Sequence, residues 1–509
     1  MERGILVLDF GSQYNQLIAR KVRDMGVYSE VVFHDISFEE VKKKNPVGII
    51  LSGGPSSVNA QGARLVEKAI LGSGIPILGI CYGMQLLAHI MGGRVKKGKK
   101  GEYGKSLFTV EKYSVLLEGV SPQSTVWMSH FDQVEAVPEG FSVLGRSDVI
   151  ASMAYEEKNI FAVQFHPEVS HTEEGEKILR NFVFEICRAK ENWKLTGYID
   201  RSIKEIKEKV GKNRVILGLS GGVDSSVAAV LIHKAIGDQL TCIFVDTGLL
   251  RKDEGKKVME TYGVHFHMNI KQVDASEIFL SKLKGVGDPE EKRKIIGRAF
   301  VSVFDEESKK HTSAKFLAQG TIYPDIIESA SVKEPSSVIK SHHNVGGLPE
   351  DMRLTLLEPL RELFKDEVRR VGVELGIPSE LVYRHPFPGP GLGIRILGPV
   401  NREKVKILQE ADNIFIQELY NQGLYDKVSQ AFVVLLPVKS VGVMGDERTY
   451  EYAAVIRSAN TVDFMTATWS RLPYDFLECV SGRITNEVKG INRVTYDISS
   501  KPPATIEWE

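Results

Sequence analysis

Two short glycine-containing segments, each set between an apolar run and a helical pattern, constrain the fold of this chain more than any other feature. The first is GICYGM at residues 79–84, and the second is SGGVDSS at residues 220–226. A short apolar run that ends in a tight turn and continues as an amphipathic helix is typical of parallel α/β sheets. The same alternation recurs before and after residue 193, so the sequence predicts two doubly wound, mainly parallel α/β sheet domains.

A third domain is predicted from a change of pattern after residue 384. The segment PFPGPGLG at residues 386–393 has too many turn-forming residues for a helix and is too rigid for a flexible linker. Longer helical and strand patterns follow it. We therefore predict domains at residues 1–193, 194–384 and 385–509, the last being a smaller α+β domain.

Cys81 lies on the turn between the apolar run IPILGI and the helical pattern QLLAHIMGG. This arrangement is typical of a nucleophile elbow with Cys in place of Ser, and Gly79 and Gly83 allow the turn to be tight. The N–H groups and the dipole of the following helix favour the thiolate. A single buried cysteine is most often a small core residue, so the prediction of a nucleophile depends on partners elsewhere in the chain.

The segment NIFAVQFHPEVS supplies those partners, His166 and Glu168. Residues two apart in an extended segment point to the same side, so the imidazole and the carboxylate can face one site. Together with Cys81 they form a candidate thiol–imidazole–carboxylate triad. The candidate oxyanion donors are the backbone N–H groups of Gly53, Gly54 and Tyr82.

The second segment, SGGVDSS, follows the buried strand pattern NRVILGLS and precedes the helical pattern VAAVLIHKAIG. Its glycines let the backbone surround a group of pyrophosphate size at the start of a helix. Asp224 would repel a bare phosphate, so its presence predicts a Mg²⁺ ion between them. The loop lacks the Lys of the G-x-x-x-x-G-K-[ST] pattern and is therefore not predicted to transfer a terminal phosphate.

Composition favours small-molecule substrates in a reducing compartment. Lys and Arg number 65 against 66 Asp and Glu, so no net field attracts nucleic acid or a membrane. The four cysteines show no metal-binding spacing. No signal-peptide pattern is visible, and no apolar run approaches the roughly 18 residues of a membrane span. We expect a cytoplasmic protein.

The motifs also carry family resemblances. DFGSQY, SGGP, GICYGM and HPE follow one another in the first 190 residues, which resemble a class I glutamine amidotransferase domain. SGGVDSS resembles the signature of the N-type ATP pyrophosphatases. With EKRKIIGR, KSHHNVGG, RHPFPGPGL and KPPATIEWE added, the chain resembles the bacterial glutamine-hydrolysing GMP synthetases nearly end to end.

This resemblance implies that ATP adenylates the C2 oxygen of xanthosine 5′-monophosphate (XMP) and that ammonia from glutamine then displaces AMP to give GMP. It implies Mg²⁺ as cofactor, ATP as co-substrate and a homodimer formed through the third domain. The ATP-binding residues that it implies are Ser220, Gly221, Gly222, Val223, Asp224, Ser225, Ser226 and Val245, with Asp224 as metal ligand. The XMP-binding residues that it implies are Arg293, Lys501, Ile506 and Glu507.

Other interpretations stay open at the level of sequence. A tRNA-modifying ATP pyrophosphatase would need a basic groove and usually a catalytic cysteine pair. A nucleotide sensor without catalysis would not need the three residues of the triad together. The segment at residues 331–352 is predicted to be either a lid, with Lys340, His342 and His343 meeting phosphate, or a solvated loop.

Overall fold

The computed structural model describes residues 3–12, 14–331, 354–444, 447–461, 464 and 466–509. The chain forms two compact units, Met1–Thr196 and Gly197–Glu509. The expected lid residues Lys340, His342 and His343 lie outside the described residues. In the part of the chain that is described, no helix combines the length and the apolar character that crossing a bilayer requires.

The first unit is built on one sheet. Its strands are β1 (Ile5–Asp9), β2 (Ser29–Phe33), β3 (Gly48–Leu51), β4 (Ile77–Ile80), β5 (Arg94–Val110), β6 (Gln123–Ala136), β7 (Ser142–Arg146), β8 (Ile150–Tyr155) and β9 (Ile160–Val163). Its helices are α1 (Asn15–Asp24), α2 (Phe38–Lys44), α3 (Lys68–Leu71), α4 (Tyr82–Ile90) and α5 (Gly175–Arg180). Among the described residues the strand order is β2-β1-β3-β4-β9-β8-β7-β5-β6.

The two halves of this sheet differ in strand direction. Strands β2, β1, β3, β4 and β9 pair in parallel, and β1, β3, β4 and β9 are buried along their whole length, which explains their continuous apolar sequences. Strands β8, β7, β5 and β6 continue the sheet in antiparallel pairs. Buried and more exposed residues alternate along much of β6, as in a sheet with one face toward solvent. This antiparallel half departs from the mainly parallel sheet that the sequence predicts.

The second unit begins with a parallel sheet of order β12-β11-β10-β13-β14 in the described chain. Its strands are β10 (Arg214–Gly218), β11 (Leu240–Asp246), β12 (Ile270–Asp274), β13 (Ala314–Ala318) and β14 (Thr355–Leu357). Its helices are α6 (Tyr198–Val210), α7 (Val223–Ile236), α8 (Glu254–Val258), α9 (Ser276–Lys282), α10 (Pro289–Ser308), α11 (Tyr323–Ser331), α12 (Lys365–Glu374) and α13 (Ser379–Val382). The chain runs from β10 outward to β12 and returns to β13 on the other side of β10, so the carboxyl end of β10 is a topological switch point.

A smaller sheet completes the second unit. It consists of β15 (Gln430–Met444), β16 (Glu447–Asn460), β17 (Thr468–Trp469) and β18 (Ile491–Asp497), with helices α14 (Arg402–Asn421) and α15 (Tyr474–Glu487). Strand β16 pairs antiparallel with β15 and β17 and parallel with β18. The predicted fold class, two α/β sheets followed by a smaller α+β region, is confirmed.

One apolar core runs through both sheets of the second unit. It joins Ile216 and Ile243 of the parallel sheet to Leu392, Phe415 and Ile456 of the α+β region. Residue 384 therefore separates two sheets that share a core, and the domain boundary placed there stays a prediction.

The closest backbone approach near Cys81 is at Gly83, in the first turn of α4. A β-carbon on Gly83 would lie 2.4 Å from the carbonyl oxygen of Leu51 in β3. We expect Gly83→Ala to lower the free energy of unfolding of the first unit by about 1–3 kcal/mol or more, because α4 must move away from β3. Chemical denaturation of the variant measures this effect.

Gly72→Ala is the matched control for Gly83→Ala. A β-carbon at Gly72 has no neighbour closer than 3.8 Å, so this variant is expected to keep its stability within about 1 kcal/mol. Equal stability of the two variants would contradict the close contact at Gly83.

Candidate functional site

The Cys81 side chain projects from a strained turn between β4 and α4. Its backbone has φ 52° and ψ −104°, in a half of the map that non-glycine residues rarely occupy. The Cys81 N–H donates to the carbonyl of Val163 in β9 at 2.8 Å, which ties the turn to the neighbouring strand. Backbone strain that is held in place by its surroundings is common where a nucleophile must be presented.

His166 and Glu168 meet Cys81 at this turn. Nδ1 of His166 lies 2.7 Å from Oε1 of Glu168, and both residues are buried. The His166 imidazole also lies close enough to Cys81 for the thiol to influence its pKa. The His166 backbone is fixed by its N–H, which donates to Trp127 O at 3.0 Å, and by its carbonyl, which accepts from Thr172 Oγ1 at 2.6 Å. The structure thus brings the three predicted triad residues together.

The charge state of the imidazole follows from these neighbours. Burial alone disfavours the imidazolium, but the charges of Glu168 and Cys81 and the hydrogen bonds to them outweigh burial and raise the pKa of His166 to about 10. At neutral pH the imidazole therefore carries a proton that it can give to a leaving group.

The three predicted oxyanion donors differ in what they contact. A β-carbon on Gly53 would lie 3.1 Å from Cε1 of His166 and 3.7 Å from Cβ of Cys81. One on Gly54 would lie 2.8 Å from the carbonyl oxygen of Phe10 and 3.3 Å from Cγ of Tyr82. The N–H of Tyr82 belongs to the first turn of α4, where a helix offers no internal acceptor. The structure thus brings Gly53 and Tyr82 next to the triad, and Gly54 next to Tyr82.

Two polar groups around the Cys81 turn were not predicted from the sequence. The carbonyl oxygen of Ser129 in β6 lies 3.6 Å from Cys81 Sγ. Gln85, one helical turn after Cys81, donates from Nε2 to the carbonyl of Asp132 at 2.8 Å. The spacing of four residues places Gln85 on the Cys81 side of α4 and could have indicated it. Ser129 and Asp132 belong to β6, in the antiparallel half of the sheet, and no sequence motif marks that half.

The glycine loop of the second unit lies at the carboxyl end of β10. Gly221 has φ +74°, and Gly222 is the residue before α7. Oγ of Ser220 accepts from the Gly222 N–H at 3.2 Å and lies 2.9 Å from Oγ of Ser225. The predicted residues Ser220, Gly221, Gly222, Val223, Asp224, Ser225 and Ser226 thus form one continuous turn at the start of α7. A helix start at a topological switch point is a common site for phosphate groups.

Asp224 has a partner that the sequence did not indicate. Nζ of Lys365, the first residue of α12, donates to both carboxylate oxygens of Asp224 at 2.8 and 2.6 Å. Among the described residues no group of three or more His, Cys, Asp or Glu side chains could hold a metal ion. A single carboxylate still fits Mg²⁺, which commonly binds one or two carboxylates together with substrate phosphates and water.

Val245 lies near the end of β11, beside β10. Its side chain is buried in the apolar core with Ile216 and Val303. Only its backbone can therefore contact a bound nucleotide without a change in that core.

The four predicted XMP residues gather around the tail formed by residues 498–509. Glu507 accepts from Arg395 Nε at 3.1 Å and Nη2 at 2.7 Å, and from Gln430 Nε2 at 2.7 Å. Ile506 is buried with Phe432 and Val455.

The two predicted cations both donate to backbone oxygens. Arg293 in α10 donates to the carbonyl of Glu509, and Lys501 Nζ donates to the carbonyl of Phe464 at 2.8 Å.

Arg395 was not predicted, although it lies at the centre of this cluster. Its side chain has no exposed surface and lies between the rings of Phe387 and Phe432, with its guanidinium carbon 5.1 and 4.1 Å from their centroids. Nη1 of Arg395 has no hydrogen-bond partner among the described residues. A buried donor without a partner is unfavourable unless a ligand or water completes it.

The tail itself is anchored by Arg457 of β16. Its guanidinium donates to the carbonyls of Ser499 at 2.7 Å and Thr505 at 3.2 Å, and its side chain is fully buried. The tail is therefore part of the packed structure of the second unit.

Family models match three stretches of the chain. A "Glutamine amidotransferase class-I" model matches residues 6–186, an "NAD synthase" model matches residues 195–294, and a "GMP synthase C terminal domain" model matches residues 417–508. The first match contains the Cys81 cluster, the second the glycine loop, and the third most of the tail.

Relatives aligned over the full length of the chain agree with these family models. The chain is 65% identical over 509 residues to a GMP synthase [glutamine-hydrolyzing] of Fusobacterium nucleatum, with 99% of each chain covered. It is 59% identical over 512 residues to a protein of the same name from Aquifex aeolicus, covering 100% of this chain and 99% of the relative. A third, from Brachyspira hyodysenteriae, is 56% identical over 507 residues with 99% of each chain covered.

Proposed function

The chain belongs to the family of glutamine-hydrolysing GMP synthases, and we propose that its residues divide the reaction of this family between two sites. The protein is a ligase that takes nitrogen from glutamine and uses ATP. The observation that carries the proposed division is that the triad lies wholly in the first unit and the glycine loop wholly in the second. A tRNA-modifying enzyme and a sensor without catalysis are both excluded by family membership over the full length of the chain.

The first site would release ammonia from glutamine. The Cys81 thiolate attacks the side-chain amide carbonyl, and the N–H groups of Gly53, Gly54 and Tyr82 stabilise the oxyanion. His166 gives its proton to the departing nitrogen, which leaves as ammonia while a thioester forms on Cys81. Water, deprotonated by His166, then hydrolyses the thioester to glutamate. Glu168 orients the imidazole and stabilises the imidazolium.

The second site would activate XMP. We assign ATP to residues 220–226, with the N–H groups of the α7 start toward the phosphates and the backbone of Val245 toward the adenine. The C2 oxygen of XMP attacks the α-phosphorus, and pyrophosphate leaves. Ammonia then attacks C2, and the C2 oxygen leaves with AMP. Lys365, which pairs with Asp224, would bind a phosphate oxygen once it is released from that carboxylate. Mg²⁺ bound at Asp224 would neutralise phosphate charge.

XMP would bind at the tail cluster. Glu507 supports this assignment, because its side chain is 19% exposed while the buried residues Arg395 and Gln430 fix its orientation. Glu507 would then offer a carboxylate oxygen to a purine N–H group. Arg293 and Lys501 carry the positive charge that a phosphate group needs.

A homodimer would form through the α+β region. Val441 and Val443 of β15 are both exposed, and because they are two residues apart they share one face of the strand. Tyr450 of β16 pairs opposite Val441 and is also exposed. Exposed apolar residues grouped on a long hairpin favour a protein–protein contact.

The cytoplasmic location of the protein stays a prediction.

Cys81→Ala tests the first site. We expect glutamine-dependent GMP synthesis to fall by several orders of magnitude, because no other group can replace the nucleophile. Synthesis from added ammonia at alkaline pH should stay near that of the unmodified protein. Cys187→Ala, which removes another buried thiol of the first unit, is the control and should keep glutamine-dependent activity. Equal loss of both activities in folded Cys81→Ala would refute the two-site assignment.

Asp224→Ala tests the second site. We expect ATP cleavage in the presence of XMP and Mg²⁺ to fall by at least about 100-fold, because the carboxylate that would hold the ion is removed. The products of the unmodified protein should be AMP and pyrophosphate. Asp238→Ala changes an exposed carboxylate beyond the other end of α7 and should leave the rate unchanged. ADP and phosphate as main products would contradict the assignment.

Glu507→Gln tests the tail. We expect KM for XMP to rise by about tenfold or more, because Arg395 loses its charged partner and its orientation. The substitution is more informative than removal of residues 501–509, which would also take Ile506 out of the core. Glu487→Gln at the exposed end of α15 serves as the control. An unchanged KM for XMP would reject the role of Glu507.

Val443→Glu tests the dimer. We expect a shift from dimer to monomer in analytical ultracentrifugation, because a charge would be buried in the apolar contact. Val264→Glu places the same charge on an exposed valine outside the α+β region and should leave the dimer intact. A dimer that persists in Val443→Glu at micromolar concentration would move the interface elsewhere.

A further inference from the structure

A shielded ion pair lies directly behind the glycine loop. Oε1 of Glu254, the first residue of α8, is 3.9 Å from the position that a β-carbon on Gly221 would occupy. Nη1 of Arg384 donates to this oxygen at 2.9 Å. The side chains of Arg384 and Glu254 are only 20% and 10% exposed, so water screens the pair weakly.

Among the described residues, Arg384 is the cation whose side chain hydrogen-bonds to Glu254, and the charge of Arg251 also acts on Glu254. The other oxygen of Glu254 accepts from the backbone N–H of Arg251 at 3.1 Å. The guanidinium of Arg251 is directed toward Asp412, with its Nε 3.3 Å from the Asp412 carboxylate. A cavity of about 150 Å³ borders the loop and the pair, and Lys257 lies at its exposed rim.

The same helix also packs close to the loop. Cγ2 of Val258 would lie 3.1 Å from a β-carbon on Gly221, so a side chain at Gly221 would meet α8. Arg384 immediately precedes His385 and the proline-rich junction that leads to the α+β region. The ion pair thus joins this junction to the loop through the first turn of α8.

We propose that Arg384 is a positioning residue for the ATP-dependent step, because it neutralises the Glu254 carboxylate behind the glycine loop. The proposal rests on the assignment of ATP to residues 220–226. A polyphosphate bound at the loop would lie within several ångströms of the Glu254 carboxylate, and in a weakly solvated setting two negative charges at that distance repel strongly. Arg384 neutralises this charge, so the partial positive charges of the loop N–H groups dominate the electrostatic field at the phosphates.

A double-mutant cycle tests the proposal. Arg384→Ala should raise KM for ATP on the order of ten- to hundredfold, because it exposes the phosphates to an uncompensated carboxylate. Glutaminase activity should not change. Arg384→Lys should recover most of the loss. Glu254→Gln alone, and Arg384→Ala combined with Glu254→Gln, should both have a KM for ATP within about threefold of the unmodified protein, because neither carries the unpaired negative charge.

A purely structural ion pair predicts a different result. In that case Glu254→Gln and the double variant would be impaired as strongly as Arg384→Ala, and this outcome would overturn the proposal. The KM for ATP of Glu254→Gln distinguishes the two interpretations even if Arg384→Ala does not fold. Arg483→Ala is the matched control, since Arg483 pairs with Glu418 at 2.8 Å in the α+β region and should not affect KM for ATP.

Ser225→Ala separates this proposal from the assignment on which it rests. If Ser225→Ala raises KM for ATP and Arg384→Ala does not, the loop binds ATP but the ion pair does not position it. If Ser225→Ala has no effect on KM for ATP, the assignment of ATP to the loop fails and the proposal fails with it.

Discussion

Both candidate sites depend on one geometric constraint, the reversal of the chain from the end of a parallel strand into a helix within a few residues. The first turn of a helix has N–H groups without internal acceptors, and the strand end directs them to the edge of the sheet. In the first unit this reversal forces a positive φ on Cys81 and requires Gly83 to pass close to Leu51. In the second unit Gly221 takes the positive φ and leaves the start of α7 open to an anion. The difference in chemistry comes from what each loop carries, a thiol or a set of hydroxyls.

The sequence predicted the parts of the structure that are encoded locally. Strands β1, β3, β4 and β9 are apolar runs because they are buried, and such runs can be recognised in the sequence alone. The two-residue spacing of His166 and Glu168 also holds in the structure, where the pair forms a direct hydrogen bond. The antiparallel half of the first sheet was not predicted, because its two longest strands, β5 and β6, contain many polar residues and no continuous apolar run.

The residues that sequence reasoning missed act through contacts distant along the chain. Lys365 meets Asp224 across 141 positions, and Arg395 meets Glu507 across 112. A lysine or arginine in a sequence is by default a solvated surface charge, and nothing local distinguishes these two. The tail shows the opposite case, since its motif was recognised but its anchoring by Arg457 and Arg395 became visible only in the fold.

The tail also has a consequence for the stability of the second unit. Lys292, Arg395 and Arg457 have fully buried side chains, and all three have partners in residues 497–509. Lys292 and Glu509 are 217 positions apart. Removing one partner of a buried ion pair is strongly unfavourable, because the remaining charge stays buried without compensation. Loss of the tail would therefore leave these cations uncompensated inside the second unit, whose core depends on charges at the far end of its own sequence.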